Sequence, residues 1–228
     1  MRVKRPPPLR AVWRTDKGLS AMLVLLALTI LVGVPLSQTS QGDLIFGILL
    51  SLLLVTGAVT VAHRRLLTVA VSMVAAATLI LRWASFRSPE SALRSWSDAL
   101  AIVSLSTFTA LVLVQVFREG PITTYRIQGS ILVYLLIGFT WAVAYQLVHA
   151  VVPAAFSFAQ GDPGPAHSRD PLIYYSFVTL TTVGYGDITP IHAIARSLAM
   201  AEALIGQLYP AILIARLVSM QISSSREG

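Results

Sequence analysis

One segment of the sequence has a backbone suited to contact a cation, the seven residues TTVGYGD at positions 181–187. Gly184 and Gly186 permit backbone angles that other residues resist, so successive carbonyl oxygens can turn to the same side of the chain. A weakly hydrated monovalent cation needs several neutral oxygens, because a ring of carboxylates would hold it too tightly to conduct it. The segment therefore predicts a cation path lined by backbone carbonyl oxygens.

A short helix, predicted over residues 170–181, must position this segment. Asp170 is a favourable N-cap, and Pro171 suits the first helical position. A helix of about three turns is too short to cross a bilayer, which takes roughly 20 helical residues. Irregular backbone at membrane depth is tolerated only where it is buried in protein or lines a watery path, so we expect the segment after this helix to line such a path.

The composition indicates that most of the chain lies in a membrane. Hydrophobic residues make up 55% of the 228 residues and charged residues 12%, and the mean hydropathy is +0.74. These values exclude an ordinary soluble domain. The absence of cysteine excludes a disulfide framework, a thiolate metal site and a cysteine nucleophile. The net charge of +7 lies in short basic strips between apolar runs, which favours membrane lipids as partners and argues against nucleic acid.

The apolar runs predict an all-α integral membrane protein with six transmembrane helices and a re-entrant pore helix. Residues 19–117 hold the first four helices, and a pore domain over residues 127–220 holds an outer helix, the pore helix and an inner helix over 191–220. The remaining segments are predicted as cytoplasmic: an N-terminal tail (1–18), a linker (118–126) and a short C-terminal tail (221–228).

The basic residues predict that both termini face the cytoplasm, in the plasma membrane or a bacterial inner membrane. Of the 17 Lys and Arg residues, 12 fall on the side of the N-terminus and 5 on the other side, as the positive-inside rule requires. The first apolar run follows a basic segment, as in a secretory signal, but it is long enough to span and no small-x-small cleavage site follows it. We therefore expect an uncleaved first helix.

The motif TTVGYGD resembles the selectivity-filter motif of tetrameric potassium channels. The order of outer helix, short pore helix, filter and inner helix extends this resemblance over residues 127–220, whereas the first four helices resemble the family only in number and placement. The resemblance implies that K⁺ is the permeating ion, with no other cofactor. It assigns K⁺ coordination to the carbonyl oxygens of four residues, together with the Thr182 hydroxyl: Thr182, Val183, Gly184 and Tyr185. It also assigns Gly186 and Asp187 to the outer mouth of the filter.

A single GYG sequence is present, so one chain supplies a quarter of such a ring. The resemblance therefore implies a homotetramer around a four-fold axis. The alternative is an ordinary glycine-rich re-entrant turn that caps the pore helix without conducting ions.

The fourth apolar run, over residues 99–117, contains no Lys or Arg. A voltage sensor needs several charges there, because one charge gains only about 2.3 kcal/mol per 100 mV. The first four helices thus resemble a voltage-sensor domain without gating arginines, and we expect little voltage dependence. Arg82, Arg87 and Arg94 are predicted to contact lipid headgroups.

The inner helix carries one acidic residue and a predicted hinge. Glu202 is an ionisable residue inside a span, for which we predict a pH-coupled role in the pore. The alternative is a structural carboxyl that is hydrogen-bonded by pore-helix hydroxyls such as that of Thr179. Pro210 lacks the N–H that would bond the carbonyl of Gly206, so the hinge of an inner gate is predicted between these two residues.

Three inner-helix residues are predicted to face the cavity of the pore: Gln207, Ala211 and Ala215. The overall interpretation is a potassium-selective channel that conducts passively and catalyses no reaction. A subunit of a potassium uptake transporter and a non-conducting membrane scaffold are the alternatives. The single glycine motif argues against the transporter, because a transporter should show repeated half-motifs.

Overall fold

The computed structural model describes six ranges of the chain: residues 9–33, 42–60, 65–87, 91–117, 123–164 and 169–226. Four helices form the N-terminal half. They are α1 (Leu9–Leu28), which continues into a π-helical segment (Thr29–Gly33), α2 (Gly42–Thr60), α3 (Arg65–Arg87) and α4 (Ser91–Val116).

The C-terminal half contains three helices and two short strands. They are α5 (Thr124–Val151), β1 (Phe156–Phe158), α6 (Arg169–Leu180), β2 (Ile188–Pro190) and α7 (Ala193–Arg226). The helix α6 lies where the sequence predicted the pore helix, one residue earlier at each end. The helix α7 runs beyond residue 220, so the predicted C-terminal tail is helical as far as Arg226.

The predicted N-terminal tail is helical from Leu9 onwards. Residues 1–8 of that tail, residues 118–122 of the predicted linker and the last two residues of the C-terminal tail lie outside the described residues.

Three helices within the described ranges are long and apolar enough to cross a membrane: α4 over Ala92–Val116, α5, and α7 over Ala193–Ser219. The apolar parts of α1, α2 and α3 are shorter, at Gly18–Val32, Leu44–Val59 and Val71–Ala84. The chain is a multi-pass membrane protein with a mostly helical fold. That all six helices cross the membrane stays a prediction.

The first four helices pack against the pore region of their own chain. Both α1 and α4 lie along α5, and the fully buried side chains of Leu105 and Phe108 in α4 share one hydrophobic cluster with Leu132 and Leu136 in α5. Lipid is as apolar as these side chains, so close van der Waals packing holds such helices together.

The two strands form an antiparallel pair that the sequence analysis did not predict. Phe156 pairs with Pro190 and Phe158 with Ile188. Because β1 follows α5 and β2 follows residue 187 directly, the pair ties the loop before α6 to the segment after it. Both ends of the re-entrant region are thereby held by backbone hydrogen bonds.

A glycine lets α6 approach α5 closely. A Cβ at Gly138 would lie 2.8 Å from Cε1 of Phe177 and 3.1 Å from Cδ2 of Leu180, both on α6. No side chain larger than hydrogen therefore fits without moving α6 or its side chains.

We expect Gly138→Val to destabilise the folded protein by about 1–3 kcal/mol, because the added methyl groups overpack this contact. Thermal unfolding of the purified protein in detergent measures the effect. Ala150→Val is the matched control, since Ala150 is exposed on the same helix. A wild-type unfolding midpoint for Gly138→Val would contradict the close packing.

Candidate functional site

The filter segment, residues 182–187, has an alternating backbone. Thr182, Gly184 and Gly186 have positive φ angles of 58°, 59° and 80°, whereas Val183 and Tyr185 between them do not. Alternation of left-handed and right-handed residues is the pattern that turns successive peptide carbonyls to one side. Glycine adopts the left-handed region at no steric cost, but for Thr182 it costs roughly 1–2 kcal/mol. Such strain is typical of functional sites.

The amide groups at the start of the filter segment bond back to the last turn of α6. The N–H of Thr182 donates to the carbonyl of Thr179 at 2.9 Å, and the N–H groups of Val183 and Gly184 both donate to the carbonyl of Val178, at 2.9 and 3.4 Å. These bonds continue the end of α6 into the filter segment and fix where it starts.

The carbonyl oxygens of the filter segment are free by contrast. Among the residues that the structure describes, none donates a hydrogen bond to a carbonyl oxygen of residues 182–186, whereas the carbonyl of Asp187 accepts one from the N–H of Ala159 at 2.9 Å. Residues 182–186 are also exposed in the single chain. Five successive free carbonyl oxygens are therefore available to coordinate a cation in place of its water molecules.

Aromatic rings flank the filter segment on the side of α6. The ring of Tyr185 stacks on that of Tyr174, with centroids 6.4 Å apart and planes 2° from parallel. Tyr175 is buried instead, with its ring 5.0 Å from Tyr145 and 5.5 Å from Phe156. One of the two neighbouring tyrosines thus supports the filter segment directly, and the other joins α6 to α5 and β1.

Three hydrogen-bonding side chains behind the filter segment connect α5, α6 and α7. Glu202 of α7 is fully buried. The Tyr145 hydroxyl donates to Oε2 of Glu202 at 2.6 Å, and Oγ of Ser176 lies 2.5 Å from Oε1 of Glu202 and 2.7 Å from the Gly138 carbonyl oxygen. The pore-helix hydroxyl at Glu202 is thus that of Ser176. Thr179, the example expected from the sequence, interacts with Tyr175 instead.

The number of protons in this cluster favours a neutral Glu202. Ser176 has one proton to donate, while the Gly138 carbonyl only accepts. If Glu202 is protonated, it donates to Ser176, Ser176 donates to Gly138, and Tyr145 donates to Glu202, so every contact is satisfied. A carboxylate would leave one of the two short contacts of Ser176 without a proton between its oxygens.

Gln207 of α7 contacts the first residue of the filter segment. Its Nε2 donates to Oγ1 of Thr182 at 2.8 Å. Ala211 and Ala215 follow at intervals of four residues, so they share the helix face of Gln207, and all three side chains are exposed in the single chain. The three residues predicted to line a cavity therefore lie on one exposed face of α7, and Gln207 at one end of this face contacts Thr182.

Gly206 has a packing role that the sequence did not reveal. A Cβ at this position would overlap the backbone carbonyl of Leu180, the last residue of α6. The same carbonyl accepts a hydrogen bond from the Tyr134 hydroxyl at 3.3 Å. Pro210 lies inside α7, which continues through it. The hinge between Gly206 and Pro210 stays a prediction, with close approach to α6 as a second reason for the glycine.

Sequence reasoning missed the contacts made around residue 149. His149 is buried in the last turn of α5, where its Nε2 lies 3.3 Å from Oδ1 of Asp162 and its ring packs 5.4 Å from that of Phe158. Arg82, predicted at lipid headgroups, is also buried. Neither partnership has a local signal, because each joins residues that are distant in the sequence.

Comparisons with known proteins identify one family and several relatives. Residues 122–222 match the model of a family described as "Ion channel". Protein LctB of Bacillus caldotenax is 32% identical over 126 residues, which cover 52% of this chain and 90% of that protein.

Two further relatives match over smaller parts of their length. Protein LctB of Geobacillus stearothermophilus is 50% identical over 46 residues, 20% of this chain and 34% of that protein. The two pore potassium channel c of Oryza sativa subsp. japonica is 35% identical over 89 residues, 39% of this chain and 17% of that protein. No solved structure gives a significant match.

The Glu202 cluster generates a prediction that separates its protonation from its packing. We expect Glu202→Gln to keep wild-type stability, because the amide donates to Ser176 and accepts from Tyr145 as the protonated carboxyl does. Glu202→Leu should destabilise the protein by about 1–3 kcal/mol, since it leaves the buried Tyr145 hydroxyl without a partner. Thermal unfolding of both variants measures the difference, and equal losses for the two would contradict a neutral Glu202.

Proposed function

This chain belongs to the family of the LctB proteins, with an ion-channel domain over residues 122–222, and we propose that it forms a potassium-selective channel. The channel conducts K⁺ passively down its electrochemical gradient and catalyses no reaction. The ion-channel domain supports the general activity. The similarity to the two pore potassium channel c of Oryza sativa subsp. japonica supports potassium as the ion.

The observation that carries this proposal is the row of free carbonyl oxygens over residues 182–186. Neutral carbonyl oxygens can replace the water around a weakly hydrated cation without holding it too tightly. In the proposed site, the carbonyls of Thr182, Val183, Gly184 and Tyr185 and the Thr182 hydroxyl contact K⁺, while Gly186 and Asp187 form the outer mouth. The carboxyl end of α6 adds a favourable electrostatic potential for a cation near Leu180.

Four copies of the chain complete the proposed site. One filter segment cannot surround an ion, and the side chains of Val183 and Tyr185 are 53% and 71% exposed in the single chain. Irregular backbone is not tolerated against lipid, so other protein must cover this segment. A cyclic homotetramer would place four segments around one axis and cover the apolar side chains that α7 exposes, such as Leu204 and Leu208.

The proposed topology has six membrane crossings with both termini in the cytoplasm, in the plasma membrane or a bacterial inner membrane. The excess of Lys and Arg on the side of the N-terminus supports this orientation. Gln207, Ala211 and Ala215 would then line the cytoplasmic side of the pore. The hydrogen bond from Gln207 to Thr182 supports this position for the first of them.

Flux through liposomes containing the purified chain distinguishes the channel from its two alternatives. K⁺ flux that exceeds Na⁺ flux without added protein or nucleotide supports the channel. A transporter subunit would need its partner before it moved K⁺, and a scaffold would pass neither ion.

Selectivity is expected to depend on the backbone of Gly184. A Cβ there meets nothing within 4 Å in the single chain, but the φ angle of 59° disfavours every residue with a Cβ. Gly184→Ala should therefore lose most of the preference for K⁺ over Na⁺. Reversal potentials in mixed K⁺ and Na⁺ measure this preference. Gly161→Ala is the matched control, as that glycine also has a positive φ and open surroundings, but lies outside the filter segment. Unchanged reversal potentials for Gly184→Ala would count against the proposed site.

Opening is expected to depend little on voltage, because residues 99–117 carry no Lys or Arg. Each missing gating charge removes about 2.3 kcal/mol per 100 mV from the work that voltage can do. Planar-bilayer recordings over a range on the order of 200 mV, centred on zero, measure this dependence. Open probability should change only slightly with voltage over this range. A steep activation curve would show that charges elsewhere in the chain move through the field.

Pro210→Ala tests the proposed hinge between Gly206 and Pro210. Alanine restores the N–H that proline lacks, so the helix should straighten and open probability should change, with K⁺ preference unchanged. Single-channel recordings measure both quantities. Gly206→Ala is a poor second test, because its Cβ would overlap Leu180 whether or not a hinge exists. Wild-type open probability in Pro210→Ala would place the gate elsewhere, with the filter segment as the next candidate.

A further inference from the structure

A buried cluster of charges lies where the first four helices meet the start of α6. Its acidic member is Asp98 of α4, and the guanidinium groups of Arg82, Arg94 and Arg169 interact electrostatically with that carboxylate. Asp98 is 7% exposed and Arg82 is 8% exposed. This cluster was not predictable from the sequence, because its members come from α3, α4 and α6.

One aromatic ring organises the cluster. The guanidinium carbon of Arg169 lies 4.6 Å from the centroid of the Phe46 ring, and that of Arg82 lies 5.3 Å from the same centroid. Phe46 belongs to α2, and its ring is also 6.2 Å from that of Phe139 in α5. Stacking of guanidinium groups on an aromatic ring is attractive and is strengthened by burial. Four helices, α2, α3, α5 and α6, therefore meet at Phe46.

This arrangement is costly unless the charges compensate one another. Buried charges lose their hydration, and removal of one partner leaves the other uncompensated. Arg169 is also the first residue of α6, where the helix dipole disfavours a positive side chain. The acidic side chain of Asp98 attracts these guanidinium groups, which reduces both costs. The start of α6 is thus held electrostatically by a residue from the four-helix half of the chain.

We propose that Asp98 and Arg169, with Arg82 and Phe46, form a positioning device through which the first four helices hold α6 and set how well the filter segment binds K⁺. This inference rests on the proposed function, and it gives the four-helix half a role that needs no gating charge. Asp98 and Arg169 contact no ion and act only through the position of α6.

The helix α6 can transmit such an effect because it is short and its two ends are fixed separately. The side chain of Arg169 anchors the first turn of α6. The last residue, Leu180, contacts Tyr134 and Gly206 through its carbonyl group and is followed by the filter segment. A helix of 12 residues is about 18 Å long at 1.5 Å per residue. A tilt at its start therefore changes where Thr182 and Val183 lie, since their amides bond to its last turn.

K⁺-dependent thermal stability of the purified tetramer tests the proposal without a flux assay. K⁺ that binds the native filter segment raises the unfolding temperature as its concentration increases, and Na⁺ at the same ionic strength does not. The K⁺ concentration for half of this rise reports the affinity of the site. The variants are Asp98→Asn, Arg169→Gln and the double variant, with Asp162→Asn as the control that removes a carboxylate outside the cluster.

Both single variants should raise the half-maximal K⁺ concentration about threefold to tenfold. The double variant should show no further increase, because the two residues act as one unit. Asp162→Asn should match the wild type. If Asp98→Asn does not assemble, Arg169→Gln and Arg169→Lys carry the test. Lysine keeps the charge but not the planar stack on Phe46, so it should give an intermediate value.

Several results would overturn the proposal. An equal loss of unfolding temperature in Na⁺ and K⁺ with an unchanged half-maximal concentration would mean that the cluster is only structural. Additive effects of the two substitutions would mean that the residues act independently. A wild-type tetramer that K⁺ and Na⁺ stabilise equally would instead count against the proposed potassium site itself.

Discussion

The constraint on which the rest of this structure depends is that, among the described residues, no hydrogen-bond donor contacts the five successive backbone carbonyl oxygens of residues 182–186. Carbonyl dipoles that lie side by side repel one another, and each costs several kcal/mol when it enters an apolar medium without a partner. Surrounding elements must therefore hold such a segment in its shape. The short re-entrant helix, the strand pair and the close glycine contacts can all be understood as ways to hold the filter segment without occupying its oxygens.

The support behind the filter segment is polar, although the surroundings are apolar. Glu202, Ser176 and Tyr145 come from three different helices. Their hydrogen bonds fix the distances between these helices and their orientation, which leucine side chains cannot do. A neutral carboxyl achieves this without the desolvation cost of a charge. The remaining titratable groups that interact with Glu202 are tyrosines, Tyr134 and Tyr175 in addition to Tyr145. Deprotonation of Glu202 at high pH would therefore place a negative charge among groups that cannot neutralise it. The pH-coupled role proposed for Glu202 accordingly predicts loss of conduction as pH rises, and Glu202→Gln should lack that loss.

The sequence predicted what depends on local chemistry. The start of α6 follows from Asp170 and Pro171, and the left-handed conformations at 184 and 186 follow from glycine. Thr182 shows the limit, because nothing in a threonine predicts a positive φ angle. The strand pair, the partners of Glu202 and the burial of Arg82 were not predictable, since each depends on residues that approach one another only in the folded chain. Hydropathy also placed the start of the fourth helix at residue 99, whereas α4 begins at Ser91 and includes Asp98 and Arg94. Arg94 and Asp98, which lie outside the predicted fourth run, are therefore part of a helix, and both belong to the charge cluster.

The packing of α4 suits a fixed element better than a moving sensor. A helix that carries charges through the membrane needs polar or hydrated surroundings along its path. The described side chains of α4 instead fill the space against α5, where Val112 and Val116 approach Gly129 so closely that a Cβ there would lie 3.1 Å from Val116 Cγ2. Towards α3, the hydroxyls of Ser104 and Thr78 form a buried hydrogen bond at 3.2 Å. Packing of this density resists sliding, because side chains must leave their contacts before they can form new ones. The tight contacts of α4 with α3 and α5 therefore favour a helix that stays in place. Packed in this way, α4 holds α5 through Leu105 and Phe108, which share one buried cluster with Leu132 and Leu136 of α5.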